Sequence, residues 1–144
     1  MRLLSGSALA DALSYCCYNG GKVAVVFSSR NQLYEFRAEL LRQIEGNRLP
    51  GVAHYNRSRD ELRFHSGGYI KLLSASYNRA LTGWTFHEVI YDRGITDPDT
   101  LSILRAIERP PAPNWFRRAT DIEEMEVDPE PLDAFLSEFS VHKT

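Results

Sequence analysis

The chain has 144 residues, 43% hydrophobic and 25% charged, the composition of one globular domain able to bury a core without metal or disulfide support. It holds no run of eighteen apolar residues, and Asp11 interrupts the N-terminal apolar stretch, so neither a transmembrane helix nor a secretory signal is expected. A formal net charge of −2 conceals an asymmetry: residues 1–118 carry 16 Lys+Arg against 11 Asp+Glu, whereas residues 119–144 carry one Lys against eight Asp+Glu.

Residues 7–18 read as a helix, with Leu9, Ala12, Leu13 and Cys16 at helical spacing and Asn19-Gly20-Gly21 as its stop. Lys22–Phe27 is a continuous β-branched run suited to a strand buried on both faces of a parallel sheet. Ser28-Ser29 supply cap candidates for a helix reaching about Glu45, whose apolar stripe is Leu33, Phe36, Leu40, Leu41 and Ile44. The period then shortens. Gly51–Asn56, Glu61–His65 and Tyr69–Ser74 are short strand candidates separated by polar turns. A loop or short helix at 77–82 leads to a strand at Phe86–Tyr91 that ends on Asp92. Asp97-Pro98 opens a last helix through about Glu108, and Pro110-Pro111-Ala112-Pro113 breaks it. This order predicts an α/β fold of three layers: a mostly parallel sheet, flanking helices and a small β-hairpin. Residues 1–118 form the expected core domain. Residues 119–144 form an acidic tail with a short amphipathic helix.

Two segments resemble motifs of the P-loop NTPases, in particular the first half of the ATPase domain of phage large-terminase motors. Leu4-Ser5-Gly6-Ser7-Ala8-Leu9 looks like the end of a phosphate loop, and Leu81–Asp92 looks like the approach to a Walker B motif. The resemblance spans residues 4–95 and implies a truncated NTPase-like core of phage descent, with a vestigial nucleotide site at Ser5, Gly6, Ser7 and Asp92. The departures from the family are chemical. Ser7 stands where the phosphate-binding lysine would be, Ala8 where a hydroxyl would hold Mg²⁺, and Arg93 where a glutamate would activate water. Only three residues precede Leu4, so the strand that should lead into the loop is expected to be missing. ATP hydrolysis is therefore not expected, and no cofactor is.

No other catalytic arrangement stands out. His87 and Glu88 are adjacent on a strand and should diverge. His54 and His65 could face each other across the hairpin, but no nucleophile or carboxylate cluster accompanies them. The four histidines lack metal-ligand spacing, so no metal site is expected. Cys16 and Cys17 are neighbours that cannot readily bridge and read as small apolar residues in a reducing cytoplasm.

Arg57, Arg59, Arg63, Lys71 and Arg79 cluster in or beside the predicted hairpin, with Tyr55, Phe64, Tyr69 and Tyr77 among them. Cations for phosphates beside aromatic faces for bases make these five the nucleic-acid-binding candidates. In the tail, Leu132, Phe135, Leu136 and Phe139 share a helical face and are the candidates for binding a partner. The sequence thus predicts a non-catalytic binding or regulatory protein that engages a protein partner, DNA, or further copies of itself. The alternatives are a small nucleotide-binding or nucleic-acid-processing enzyme and a structural phage subunit.

Overall fold

A computed structural model describes residues 1–76 and 81–110. Six strands and three helices follow one another as β1 (Arg2–Leu3), α1 (Gly6–Asn19), β2 (Lys22–Phe27), α2 (Arg30–Glu45), β3 (Val52–Asn56), β4 (Glu61–Phe64), β5 (Tyr69–Ser74), β6 (Glu88–Tyr91) and α3 (Pro98–Ile107). All six strands join one sheet in the order β1-β6-β2-β5-β4-β3. β1, β6, β2 and β5 run parallel, and β4 and β3 add on antiparallel. The fold is a three-layer α/β sandwich, as the alternation of periods predicts.

The centre of the sheet is β2. Its residues pair with Tyr69–Ser74 on one side and with Glu88–Tyr91 on the other. Val23, Val25 and Phe27 face α1 and α2, where they meet Leu9, Leu13, Cys16, Leu33, Phe36 and Leu40. Ala24 and Val26 face the opposite way, toward Leu104 and Ile107 of α3, with Phe86, Val89 and Ile95. A strand covered on both faces must be apolar at every position, which is why Val23–Phe27 shows no alternation.

Capping follows the expected chemistry one residue at a time. Ser5 Oγ accepts from the Ala8 N–H, Ser29 Oγ from Gln32 and Asp97 from Thr100, each closing the first turn of its helix. Of the Ser28-Ser29 pair only Ser29 is the cap, which releases Ser28 for another contact.

Three expectations need correction. A strand does precede Leu4: Arg2 and Leu3 pair in parallel with Ile90 and Tyr91, so the three residues before Leu4 are enough to form one. Arg2 secures that short strand by ion pairs to Asp11 of α1 and Glu88 of β6, at 2.8 and 2.6 Å. The last strand begins at Glu88 rather than Phe86. Phe86 instead makes an isolated parallel bridge to Glu108 that fastens the end of α3. The hairpin is also larger than a hairpin, because β4 pairs on with β5, the last of the four parallel strands. Residues 77–80 of the predicted loop or short helix, and the acidic tail, lie outside the described residues.

No helix among the described residues is long and apolar enough to cross a membrane. The β4–β5 turn is packed beneath the end of α1 so closely that a Cβ on Gly68 would lie 2.5 Å from the Cys16 carbonyl oxygen and 2.7 Å from that of Gly21. Both neighbours are backbone and cannot swing aside. Gly68→Ala should therefore lower stability by about 1–3 kcal/mol, the usual cost of overpacking. Urea denaturation checks this, and an unchanged midpoint would refute the close packing.

Candidate nucleic-acid interface and vestigial nucleotide site

Parallel strands send all their following loops to one edge of the sheet. The β1–α1 turn, the β2–α2 turn and the β6–α3 turn thus share the carboxyl edge. The turn 57–60 joins them there, because β4 is antiparallel to β5 and the Leu72 N–H donates to the Asp60 carbonyl at 2.8 Å. Neighbouring β2 and β6 continue into helices on opposite faces, which opens a crevice between their ends.

The residues expected to form a vestigial nucleotide site are at this edge, and two of them, Ser5 and Asp92, have internal tasks. Leu4 donates its N–H to the Tyr91 carbonyl at 2.8 Å, and only Leu4 and Ser5 separate β1 from α1. A two-residue turn leaves no glycine-rich loop to surround phosphates. Ser5 caps α1; Gly6 and Ser7 belong to its first turn, with Ser7 exposed. Asp92 is buried, and its Oδ2 accepts from Ser28 Oγ at 2.7 Å. Ser28 Oγ is also 2.5 Å from the Gln32 side-chain amide. One hydroxyl proton cannot serve both, so turning the amide to present Nε2 gives a consistent chain from Gln32 through Ser28 to Asp92. Gly94 lies against this pair: a Cβ there would meet Asp92 Oδ2 and Ser28 Oγ, each at 3.0 Å. Sequence reasoning singled out Asp92, took Ser28 only as a cap candidate, and missed Gln32 and the packing role of Gly94. The only available signal was a serine left over beside the true cap.

These groups stand at one end of a cleft of about 640 Å³. Phe27, Phe36, Glu35, Glu39, Arg42 and Arg93 complete its walls, so it runs along α2 from the β6–α3 turn. Ser5, Gly6 and Ser7 do not line it. The cleft is therefore a feature of β2, α2 and β6, not of the phosphate-loop position.

The basic candidates divide into two kinds. Arg57 and Arg59 are exposed on the turn 57–60. That turn is held by Asn56, whose Oδ1 accepts from the Ser58 and Arg59 N–H groups at 3.1 and 3.3 Å. It is tied to α2 through Asp60, which accepts from Arg37 at 3.0 Å and from the Tyr55 hydroxyl at 3.1 Å. Burial, reinforced by the Asp60 charge, pushes the Tyr55 hydroxyl well above its ordinary pKa and keeps it a donor. Arg63 and Lys71 are the other kind. Arg63 pairs with Glu61 at 3.0 Å and lies over the Tyr69 ring. Lys71 is buried: its ammonium donates to the Arg59 carbonyl at 2.7 Å, sits 3.8 Å from Glu61 and covers the Trp84 ring at 4.4 Å. Burial lowers the Lys71 pKa despite the carboxylates of Glu61 and Asp60. Lys71 thus faces inward and supports the turn that presents Arg57 and Arg59. Arg79, and the tail residues Leu132, Phe135, Leu136 and Phe139, lie outside the described residues.

The histidines do not form a site. His54 pairs across the hairpin with Arg63, not His65, which lies beyond β4. His87 and Glu88 diverge as alternation requires: Glu88 turns to Arg2, while His87 Nδ1 meets the Tyr15 hydroxyl at 2.8 Å and the Lys22 N–H at 3.2 Å. The Lys22 N–H can only donate, so Nδ1 carries no proton and the Tyr15 hydroxyl donates to it as well. Among the described residues, no three His, Cys, Asp or Glu side chains gather as metal ligands.

Against protein-family models, curated proteins and solved structures, the chain shows no significant match.

Burial first, and then the nearby Lys22 charge, lower the His87 pKa below its usual 6.5. The unfolded chain then binds the proton first as pH falls, so the His87 contribution to stability is complete above about pH 6.5 and is lost below it. Melting temperatures between pH 7.5 and 5 should fall more steeply for the wild type than for His87→Asn, which keeps an acceptor but does not titrate. Parallel curves would remove His87 as the cause.

Proposed function

We propose that this protein is a non-catalytic binding protein built on a degenerate NTPase-like core of phage descent, and that it engages nucleic acid through the turn 57–60. The observation that carries this reading is the division of labour at the carboxyl edge. Side chains at the positions where an NTPase would do chemistry are committed to the fold, Ser5 as a cap and Asp92 as the acceptor for Ser28. Arg57 and Arg59 are exposed at the same carboxyl edge, on a turn held by four side chains outside it: Asn56, Tyr55, Arg37 and Lys71. Exposed cations on a rigid turn meet phosphates with little loss of conformational freedom. Engagement of a protein partner would fall to the tail residues Leu132, Phe135, Leu136 and Phe139.

Binding of labelled DNA to the full-length protein should weaken as salt rises. Replacing Arg57 and Arg59 together by alanine should reduce the slope of log K against log salt by about 1.4–1.8, the release of two phosphate contacts. Anisotropy titrations across a salt series measure this. Failure of the wild type to bind at low salt would end the nucleic-acid reading.

The cleft beside Asp92 favours a second reading, a nucleotide-binding enzyme. Thermal-shift measurements with ATP or GTP and Mg²⁺ separate the two. The non-catalytic reading expects no shift, whereas a nucleotide at a hundred times its Kd would add about 2.7 kcal/mol and raise the melting temperature by several degrees.

A further inference from the structure

We infer that the outer side of α1 is the docking site for the chain's own acidic tail, with Leu132, Phe135, Leu136 and Phe139 laid over Ala10 and Ser14. The inference stands apart from the nucleic-acid reading. It goes beyond the partner assignment by saying what holds those four residues until a partner takes them.

A helix lying on one face of a sheet ordinarily shows its outer side to water. α1 does not: every residue from Ala8 to Cys16 is buried, about two and a half turns in succession. Leu9, Ala12, Leu13 and Cys16 belong to the core beneath it. At about 100° per residue, Ser14 points some 140° away from Leu9, and Asp11 some 160° away. Yet Ser14 is only 1% exposed and Asp11 only 8%.

The described elements do not account for that cover. All six strands belong to the sheet, α2 stands beside α1 in the same layer, and α3 lies on the opposite face. Arg2 reaches Asp11, while the loops at Gly51 and Ser66 meet the end of the helix, at Cys17 and at the Cys16 carbonyl. No described element forms a layer beyond Ser14, and Ser14 Oγ is buried without a hydrogen-bond partner. The burial arises within a single chain, so its source is the same chain. Residues 77–80 connect Ala75 to Leu81, both packed on the far face, and that leaves residues 111–144.

The tail fits the site in reach, pattern and charge. The described chain ends beside α1: the Arg109 N–H donates to the Phe86 carbonyl at 2.6 Å, and the next residue, His87, meets Tyr15 of α1 at 2.8 Å. From Pro110 to Leu132 the chain can span roughly 70 Å, against about 21 Å for the length of α1. Leu132, Phe135, Leu136 and Phe139 have the spacing of anchors with which an amphipathic helix sits in a groove. Asp11 is the only charged residue of α1 and is paired with Arg2, so the acids of the tail meet no open like charge there.

Thiol labelling of the full-length protein tests this. In Ser14→Cys with Cys17→Ala, the introduced thiol replaces a hydroxyl that has no partner, and Cys16 remains as a buried control. The introduced thiol should react slowly with a disulfide reagent. Adding Phe135→Asp and Leu136→Asp should raise its rate by about tenfold or more while Cys16 stays unreactive, since access governs thiol reactivity. A fast reaction with the tail intact, or a slow one that the tail substitutions leave unchanged, overturns the proposal. A slow rate that rises on dilution assigns the cover to a second copy and overturns it as well. Cross-linking needs no disrupted tail and gives the second measurement. Ser14→Cys paired in turn with Phe135→Cys and Leu136→Cys should oxidise to an intramolecular disulfide, whereas Ala106→Cys on the exposed side of α3 should not. Failure of both Ser14→Cys pairs to cross-link refutes the docking.

Discussion

Everything at the carboxyl edge depends on the parallel pairing of β2 with β5 and β6. Parallel neighbours require connections that leave at one end of the sheet and return at the other, so successive strands deliver their loops to the same edge. Burial of Val23 to Phe27 on both faces holds that arrangement, each valine and the phenylalanine contributing on the order of 1.5–3 kcal/mol if fully transferred from water. Reversing β2 would scatter Ser28, Arg30, Asp92 and Arg93 to opposite ends of the molecule.

Within that frame the edge is stabilised by hydrogen bonds that consume its carboxylates. Ser28 and Asp92 clasp the ends of two neighbouring strands, and Gly94 is small enough to let the β6–α3 turn close over them. Lys71 and Asp60 do the same for the turn 57–60, one from the sheet and one toward α2. A buried lysine is costly to the fold unless its charge is matched. Glu61, the Arg59 carbonyl and the Trp84 ring offset part of that cost, and they hold Lys71 beneath the turn that carries two exposed arginines.

The opposite edge is tied together in another way. Arg2 bridges Asp11 and Glu88, linking the shortest strand to α1 and β6. Burial works against the Arg2 charge, but the two carboxylates outweigh it and leave its pKa above the ordinary value. Glu88 moves upward because its desolvation exceeds the help it receives from Arg2. This ion cluster explains how a two-residue strand holds its place at the margin of the sheet.

Much of the fold was legible in the residues themselves. Continuous apolar character at Val23–Phe27, helical spacing in α1 and α2, and Asp97-Pro98 before α3 are local patterns, and local patterns survive into the structure with boundaries moved by a residue or two. What a linear reading could not supply is which loops meet. Asp92 was conspicuous at a strand end, but its partner Ser28 is 64 residues away and looked like a cap. Lys71 resembled a phosphate ligand by composition, and only the pairing of β4 with β5 turned it toward Arg59 and Glu61. Arg93 stood out only as a departure from a motif, with nothing in the linear sequence to say which loops it would meet. Periodicity is set by neighbours three or four residues apart, so sequence determines it; the charge of a surface is set by strand order, which long-range pairing alone decides.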